Sequence, residues 1–219
     1  ITTRLEAEKK PGAISRIGFT AWWNGGMRTA PYFHNMIGIL TETALFNYAT
    51  PNFYSPRSLP AEFSDGTSTR QRSIKYPMPW QGGWWRLRDP VEYMLTASMA
   101  TIDVGSRYRE DWLLNIWRMG HDAVRQGQRG EPAAWVVAPE QHDDGASVEL
   151  VNVLRRGGVE GHRLAAPLVA NGRTYPPGTF VVPAAQAFRS YIVDLLEPQS
   201  YPDRRLYPGG PPARPYDMA

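Results

Sequence analysis

The stretch PYFHNMIGILTETALF, residues 31–46, decides how this chain is read. A short apolar run, MIGIL, delivers Thr41-Glu42-Thr43, so a carboxylate falls where an apolar strand would end. If residues 36–41 form a strand, Glu42 lies at the carboxyl end of a sheet, where open α/β folds gather their ligands. The loop before it, WWNGGMRTAPYFHN, is glycine-rich and aromatic and supplies Trp22, Trp23, Arg28, Tyr32 and His34. Such a partly apolar, partly cationic setting is what a general base requires to keep its pKa near working pH. The plain alternative is a solvated carboxylate at a strand end.

Working outward, residues 13–21, AISRIGFTA, read as a second strand flanking that loop. From residue 50 to residue 83 the chain carries Pro51, Pro56, Pro60, Pro77 and Pro79 with little periodicity, which predicts a long irregular excursion of the kind that often carries function. Asp89 before Pro90 is a helix start, because the carboxylate can cap free N–H groups and proline is tolerated in the first turn. Apolar helical spacing then extends from Tyr93 towards Val124, predicting one long helix or two abutting ones with a break near Gly105. RQGQRGEP, residues 125–132, reads as a linker. The expected domains are therefore residues 1–127 and residues 132–219, the second truncated at its end.

The second part reads as a compact α/β unit. AAWVVAP, residues 133–139, is a buried strand. GASVELVNVLRRGG puts Val148, Leu150, Val151 and Leu154 on one helical face before a Gly-Gly stop, and VEGHRLAAPLV is a further strand. Strand, helix and strand in so short a space predict a parallel pair with a crossover. NGRTYPPGTFVVPA follows as a hairpin with Asn171-Gly172 at its turn, and QAFRSYIVDLLEP as a short amphipathic helix.

Composition limits the possible functions. The 219 residues are 42% hydrophobic, enough for a core. The net charge of +3 comes mostly from dispersed arginines, which argues against a nucleic-acid-binding surface. No apolar run approaches the roughly 20 residues that a membrane-spanning helix needs. Cysteine is absent, which excludes disulfides, thiolate zinc sites and cysteine nucleophiles. His34, His121, His142 and His162 are the only histidines, and none begins an H-x-x-E, H-E-x-x-H or H-x-H pattern. Trp22-Trp23 and Trp84-Trp85 could form an aromatic wall for peptide or sugar groups, but alternation along a strand lets at most one of each pair face a ligand.

AWWNGGMRTAPYFHNMIGILTETA, followed by YPMPWQGGWWRLRDPVEYML, resembles the C-terminal part of the catalytic domain of bacterial zinc carboxypeptidases of the carboxypeptidase A-like family. The later residues, from AAWVVAPEQHDDGASVELVNVLRRGGVEGHR through GRTYPPGTFVVPAAQAFRSYIVDLLEPQ, resemble the flavodoxin- or amidotransferase-like domain that follows the peptidase domain in some large members. The resemblance implies an α/β fold: the end of a mixed-sheet peptidase domain, then a smaller α/β unit. It implies that Glu42 is the glutamate that promotes water attack on the scissile carbonyl of a peptide or small amide; Arg28, Tyr32 and His34 of the preceding loop are the candidate substrate-binding residues, Arg28 only as a local helper, because the family's substrate-binding arginines have no match here. It also implies a zinc ion in the full-length parent, a periplasmic or extracellular location, and an isolated chain with little activity. The family's His-x-x-Glu pair and third histidine have no match here, so zinc would be held by residues outside this chain. The competing reading is a catalytically inactive module whose aromatic loops bind peptide or glycan. A third, an amidotransferase-like enzyme in the second domain, lacks its nucleophile: there is no cysteine, and Ser147 falls inside a predicted helix rather than at a G-x-S-x-G elbow.

Overall fold

The computed structural model describes residues 1–16, 26–44, 49–205 and 207–213. Helices and small antiparallel sheets give a mixed α/β composition, and the contacts divide the chain into two compact units. Among the described residues, the first comprises 1–16, 39–44 and 49–110, and the second 26–38, 111–205 and 207–213.

In the first unit, helix α1 (Thr2–Ala7) packs on helix α2 (Arg88–Arg107). A polar cluster joins them. Glu8 pairs with Lys10 at 2.8 Å and Arg4 at 2.6 Å and accepts the Thr96 hydroxyl at 2.7 Å. Strands β1 (Asn52–Tyr54) and β2 (Gly83–Trp85) form an antiparallel pair with Phe53 opposite Trp84. β1 lies within the stretch expected to be irregular, and β2 begins at its last residue. Among the described residues, neither segment expected to be a strand forms a ladder. Residues 13–16 make only isolated backbone bonds, such as Ser15 N–H to Lys75 O at 3.0 Å. Residues 17–21 fall outside the described residues. Residues 36–41 are irregular too, with Ile37 and Ile39 exposed. The apolar run MIGIL was sufficient as a pattern, but a strand also requires a neighbouring backbone to pair with, and no ladder forms along it among the described residues.

Helix α3 (Arg109–Arg129) begins one residue after α2 ends, so the expected break falls at Tyr108 rather than Gly105. It continues through the first half of the expected linker, and from Asp111 onward it belongs to the second unit. The reason is a stripe of small residues, Gly120, Ala123 and Gly127, which are the buried positions of α3. A Cβ at Gly127 would come within 2.2 Å of the Ala184 carbonyl oxygen, so only glycine permits this approach. The large apolar residues Leu113 and Trp117 stay exposed.

The rest of the second unit holds strand β3 (Ala134–Val137), helix α4 (Asp144–Arg156), strands β4 (His162–Arg163), β5 (Leu168–Ala170), β6 (Arg173–Tyr175) and β7 (Phe180–Pro183), and helix α5 (Arg189–Leu196). Asp143 caps α4, its carboxylate accepting the Ala146 N–H at 2.9 Å, and Gly158 in the left-handed region (φ 80°) ends it. The expected parallel pair is corrected: β7 lies between β3 and β4 and runs antiparallel to both. β3 and β4 are thus parallel in direction but not neighbours, with α4 as the crossover of a split unit. The Asn171-Gly172 turn, with φ 50° and 72°, closes the β5–β6 hairpin, as two positive φ values require. Leu154, Val159, Val182 and Ile192 form the buried core, with Trp135, Leu150, Tyr191 and Leu196 packed around them. Val148, expected on the same helical face, is 52% exposed and is not part of that cluster.

Candidate functional site

Glu42 belongs to the first unit and Arg28, Tyr32 and His34 to the second, so each group is built from its own surroundings.

Glu42 lies on an exposed, irregular segment and makes no hydrogen bond or ion pair among the described residues. Two residues on, the Ala44 carbonyl accepts the Trp85 indole N–H at 2.8 Å. That indole is itself fixed, edge-on to Trp80 at 6.0 Å and to Tyr93 at 5.3 Å. The Tyr93 hydroxyl donates to the Pro11 carbonyl at 2.7 Å. Burial, with Asp89 and Tyr76 adding to it, pushes this phenol up to about 12, so it remains a donor at neutral pH. A rigid aromatic cluster therefore tethers the segment carrying a carboxylate that is itself unengaged. The other face of the β1–β2 pair points outward: Trp84 is 52% exposed, edge-on to Phe53 at 5.5 Å, with the Arg86 guanidinium 4.7 Å from its ring. Of this tryptophan pair one packs inward and one faces solvent, as strand alternation dictates. Trp22-Trp23 falls outside the described residues.

In the second unit, Pro31 opens a 3-10 turn, Ala30–His34, and Asn35 closes it in the left-handed conformation (φ 58°). The Thr29 hydroxyl donates to the Gly26 carbonyl at 2.6 Å, and the buried Asn35 amide donates to the Ala187 carbonyl at 3.0 Å. His34 has Nδ1 2.7 Å from the Ala30 carbonyl and Nε2 2.9 Å from the Gly157 carbonyl. Its ring centre lies 4.8 Å from that of Phe188 and 4.6 Å from that of Tyr191. Each ring nitrogen thus lies beside a backbone carbonyl, a neutral imidazole donating to one of the two, and two aromatic rings pack against it, so His34 bridges the turn and the end of α4. Tyr32 is partly exposed and packs beside Gly38, where a Cβ would lie 2.2 Å from the Tyr32 ring and 2.5 Å from the Arg28 carbonyl. Arg28 is half-buried.

The remaining histidines are dispersed: His121 stacks on Trp117 with ring centres 5.2 Å apart, and His142 and His162 are exposed. Among the described residues no three His, Asp or Glu side chains gather as a metal centre requires. These residues do not fit a zinc site.

Sequence reading missed Asn35 and Gly38, whose importance lies in a backbone conformation and a close approach that a linear pattern does not display. It also missed Arg57, Arg70 and Trp80, which line one groove in the proline-rich stretch. The only signal there was the length of the excursion itself. No model of a known family, no curated protein and no solved structure matches the chain.

Proposed function

We propose that this chain is part of a carboxypeptidase-like hydrolase in which Glu42 acts as general base, taking a proton from the attacking water and passing it to the leaving amine. The observation that carries the reading is the position of Glu42: exposed, without a hydrogen-bond or ion-pair partner among the described residues, and tethered two residues later by the fixed Trp85 indole. The resemblance of residues 21–44 and 76–95 to the end of a peptidase catalytic domain supports it. On this reading the substrate is a peptide or small amide, zinc is the cofactor with its ligands outside this chain, and the protein is exported. Arg28 and Tyr32 enter this reading only as candidate substrate-binding residues by their place in the sequence before Glu42, and within their own unit His34 ties their turn to the end of α4. No described helix is long and apolar enough to cross a membrane.

The test is Glu42→Gln in the full-length protein. Loss of a general base lowers kcat by about 100-fold or more with KM little changed. Glu62→Gln and Glu92→Gln serve as controls. Retention of more than about a tenth of wild-type kcat contradicts the assignment.

A second reading, a peptide- or glycan-binding module without chemistry, is favoured by the outward Phe53–Trp84 pair with Arg86 over the indole. It requires ligand binding that survives Glu42→Gln and is lost with Trp84→Ala.

A further inference from the structure

An open groove of about 370 Å³ lies along the proline-rich excursion, lined by Pro56, Arg57, Leu59, Arg70, Trp80 and Gln81, all within the first unit. That volume falls within the roughly 300–1,000 Å³ usual for small-molecule sites. Its walls are held by specific contacts. Trp80 donates its backbone N–H to the Tyr76 hydroxyl at 2.9 Å, and its ring stands edge-on to Tyr54 at 5.5 Å. Gly82, at φ 86°, lets the chain pass where a Cβ would lie 2.5 Å from the Tyr54 carbonyl, which brings Gln81 beside the segment after β1. Buried Thr69 shares its hydroxyl proton between the Pro60 and Ala61 carbonyls, and Arg70 reaches the Leu59 carbonyl at 3.4 Å. Arg57 sits in a turn in which the Ser58 hydroxyl donates to the Ser55 carbonyl at 2.8 Å.

The chemistry of the lining is one-sided. Two guanidiniums and one carboxamide supply the polar groups, and Pro56, Leu59 and Trp80 the apolar ones. No carboxylate lines the groove, and neither arginine forms an ion pair among the described residues. The nearby Asp65 is held by Lys75, and Glu62 is not part of the wall. Guanidiniums match planar or tetrahedral oxyanions through paired N–H donors, and an indole face accepts a flat ring. We propose that this groove binds a small oxyanion, carboxylate or phosphate, carried on a flat ring. The site is independent of the role of Glu42.

The experiment is calorimetric titration of the full chain with phenyl phosphate, benzoate, inorganic phosphate and phenol. Saturable one-to-one binding of phenyl phosphate or benzoate, tighter than that of inorganic phosphate and without binding of phenol, supports the proposal. Preference for phenyl phosphate identifies a phosphate ester as the source, and preference for benzoate a carboxylate. The double variant Arg57→Gln, Arg70→Gln should weaken binding at least about tenfold, the loss of one charge-assisted contact. Trp80→Leu should remove the advantage of the ring-bearing anion over inorganic phosphate. Both arginines are exposed, so a thermal melt of the double variant matching wild type confirms that folding is intact. Absence of binding by either ring-bearing anion at millimolar concentration, equal binding of phenol, or unchanged affinity in the folded double variant overturns it.

Discussion

Residues 50–86 and residues 133–197 are held together by different physics. The later region buries aliphatic side chains in one contiguous cluster, with Leu154 at 2% and Ile192 at 0% exposure, between a sheet and two helices. The earlier region has one short ladder and a chain of edge-on aromatic contacts, Phe63–Tyr76, Tyr54–Trp80, Trp80–Trp85 and Trp85–Tyr93, with polar ties between them. The first arrangement is non-directional and tolerant of sequence; the second depends on each side chain keeping its place. Two features with a chemical reading in the first unit, Trp84 and the arginine-lined groove, belong to the directional kind, and the segment that carries Glu42 is tied to it through Trp85.

The comparison breaks most readily in the core. Leu154→Ala should lower stability by about 3 kcal/mol through lost burial and a residual cavity, read by chemical denaturation. Trp85→Ala should cost about 2 kcal/mol, less than a fully buried tryptophan because Trp85 is half-buried, while Trp84→Ala stays within about 0.5 kcal/mol. Equal losses at the two tryptophans would contradict the inward and outward assignment.

How much of this was legible depended on the region. The Gly157-Gly158 stop of α4, the Asn171-Gly172 turn and the strand at residues 134–137 carry local signals of backbone conformation and apolar periodicity, whereas Asp89 does not cap α2, which begins at Arg88 with Leu87 at its N-cap. The place of β7 between β3 and β4 carries no local signal, because strand order is set by long-range pairing that adjacent residues do not encode. The same limit explains residues 36–41. MIGIL has strand-like composition, yet pairing needs a partner edge, and Asn35 with φ 58° turns the chain into it from a 3-10 turn instead. Of the candidate site, the residue types were visible and the grouping was not. His34 stands out in the sequence as part of the aromatic loop before Glu42, and its ring nitrogens lie beside backbone carbonyls.

Smaller effects sharpen the contrast. Asn171→Ala should destabilise by about 1 kcal/mol, since alanine is disfavoured at positive φ, an effect confined to the β5–β6 hairpin and visible in its amide shifts. In the first unit, hydrogen bonds from Lys10, Arg4 and Thr96 hold the Glu8 carboxyl down to about 2. A carboxylate depressed on folding contributes stability above its unfolded pKa of about 4.3, and that contribution is lost as pH falls towards 2. The wild-type melting temperature should therefore fall across that window, and Glu8→Gln should flatten the decline. Asp65, lowered to about 2 by Lys75 and Thr67, adds a second such contribution that Asp65→Asn removes. A Glu8→Gln profile parallel to wild type would contradict the role of the polar cluster.

Native-state hydrogen exchange of the full chain tests the central contrast most directly, because it reads local stability residue by residue. The slowest amides should be those of Val159, Val182 and Ile192, around the aliphatic cluster, while those of the β1–β2 ladder at Phe53 and Trp84 exchange through smaller openings at markedly lower free energy. Protection at Phe53 and Trp84 equal to that at Val182 and Ile192 would contradict it, and would mean that the aromatic region holds as firm a core as the aliphatic one.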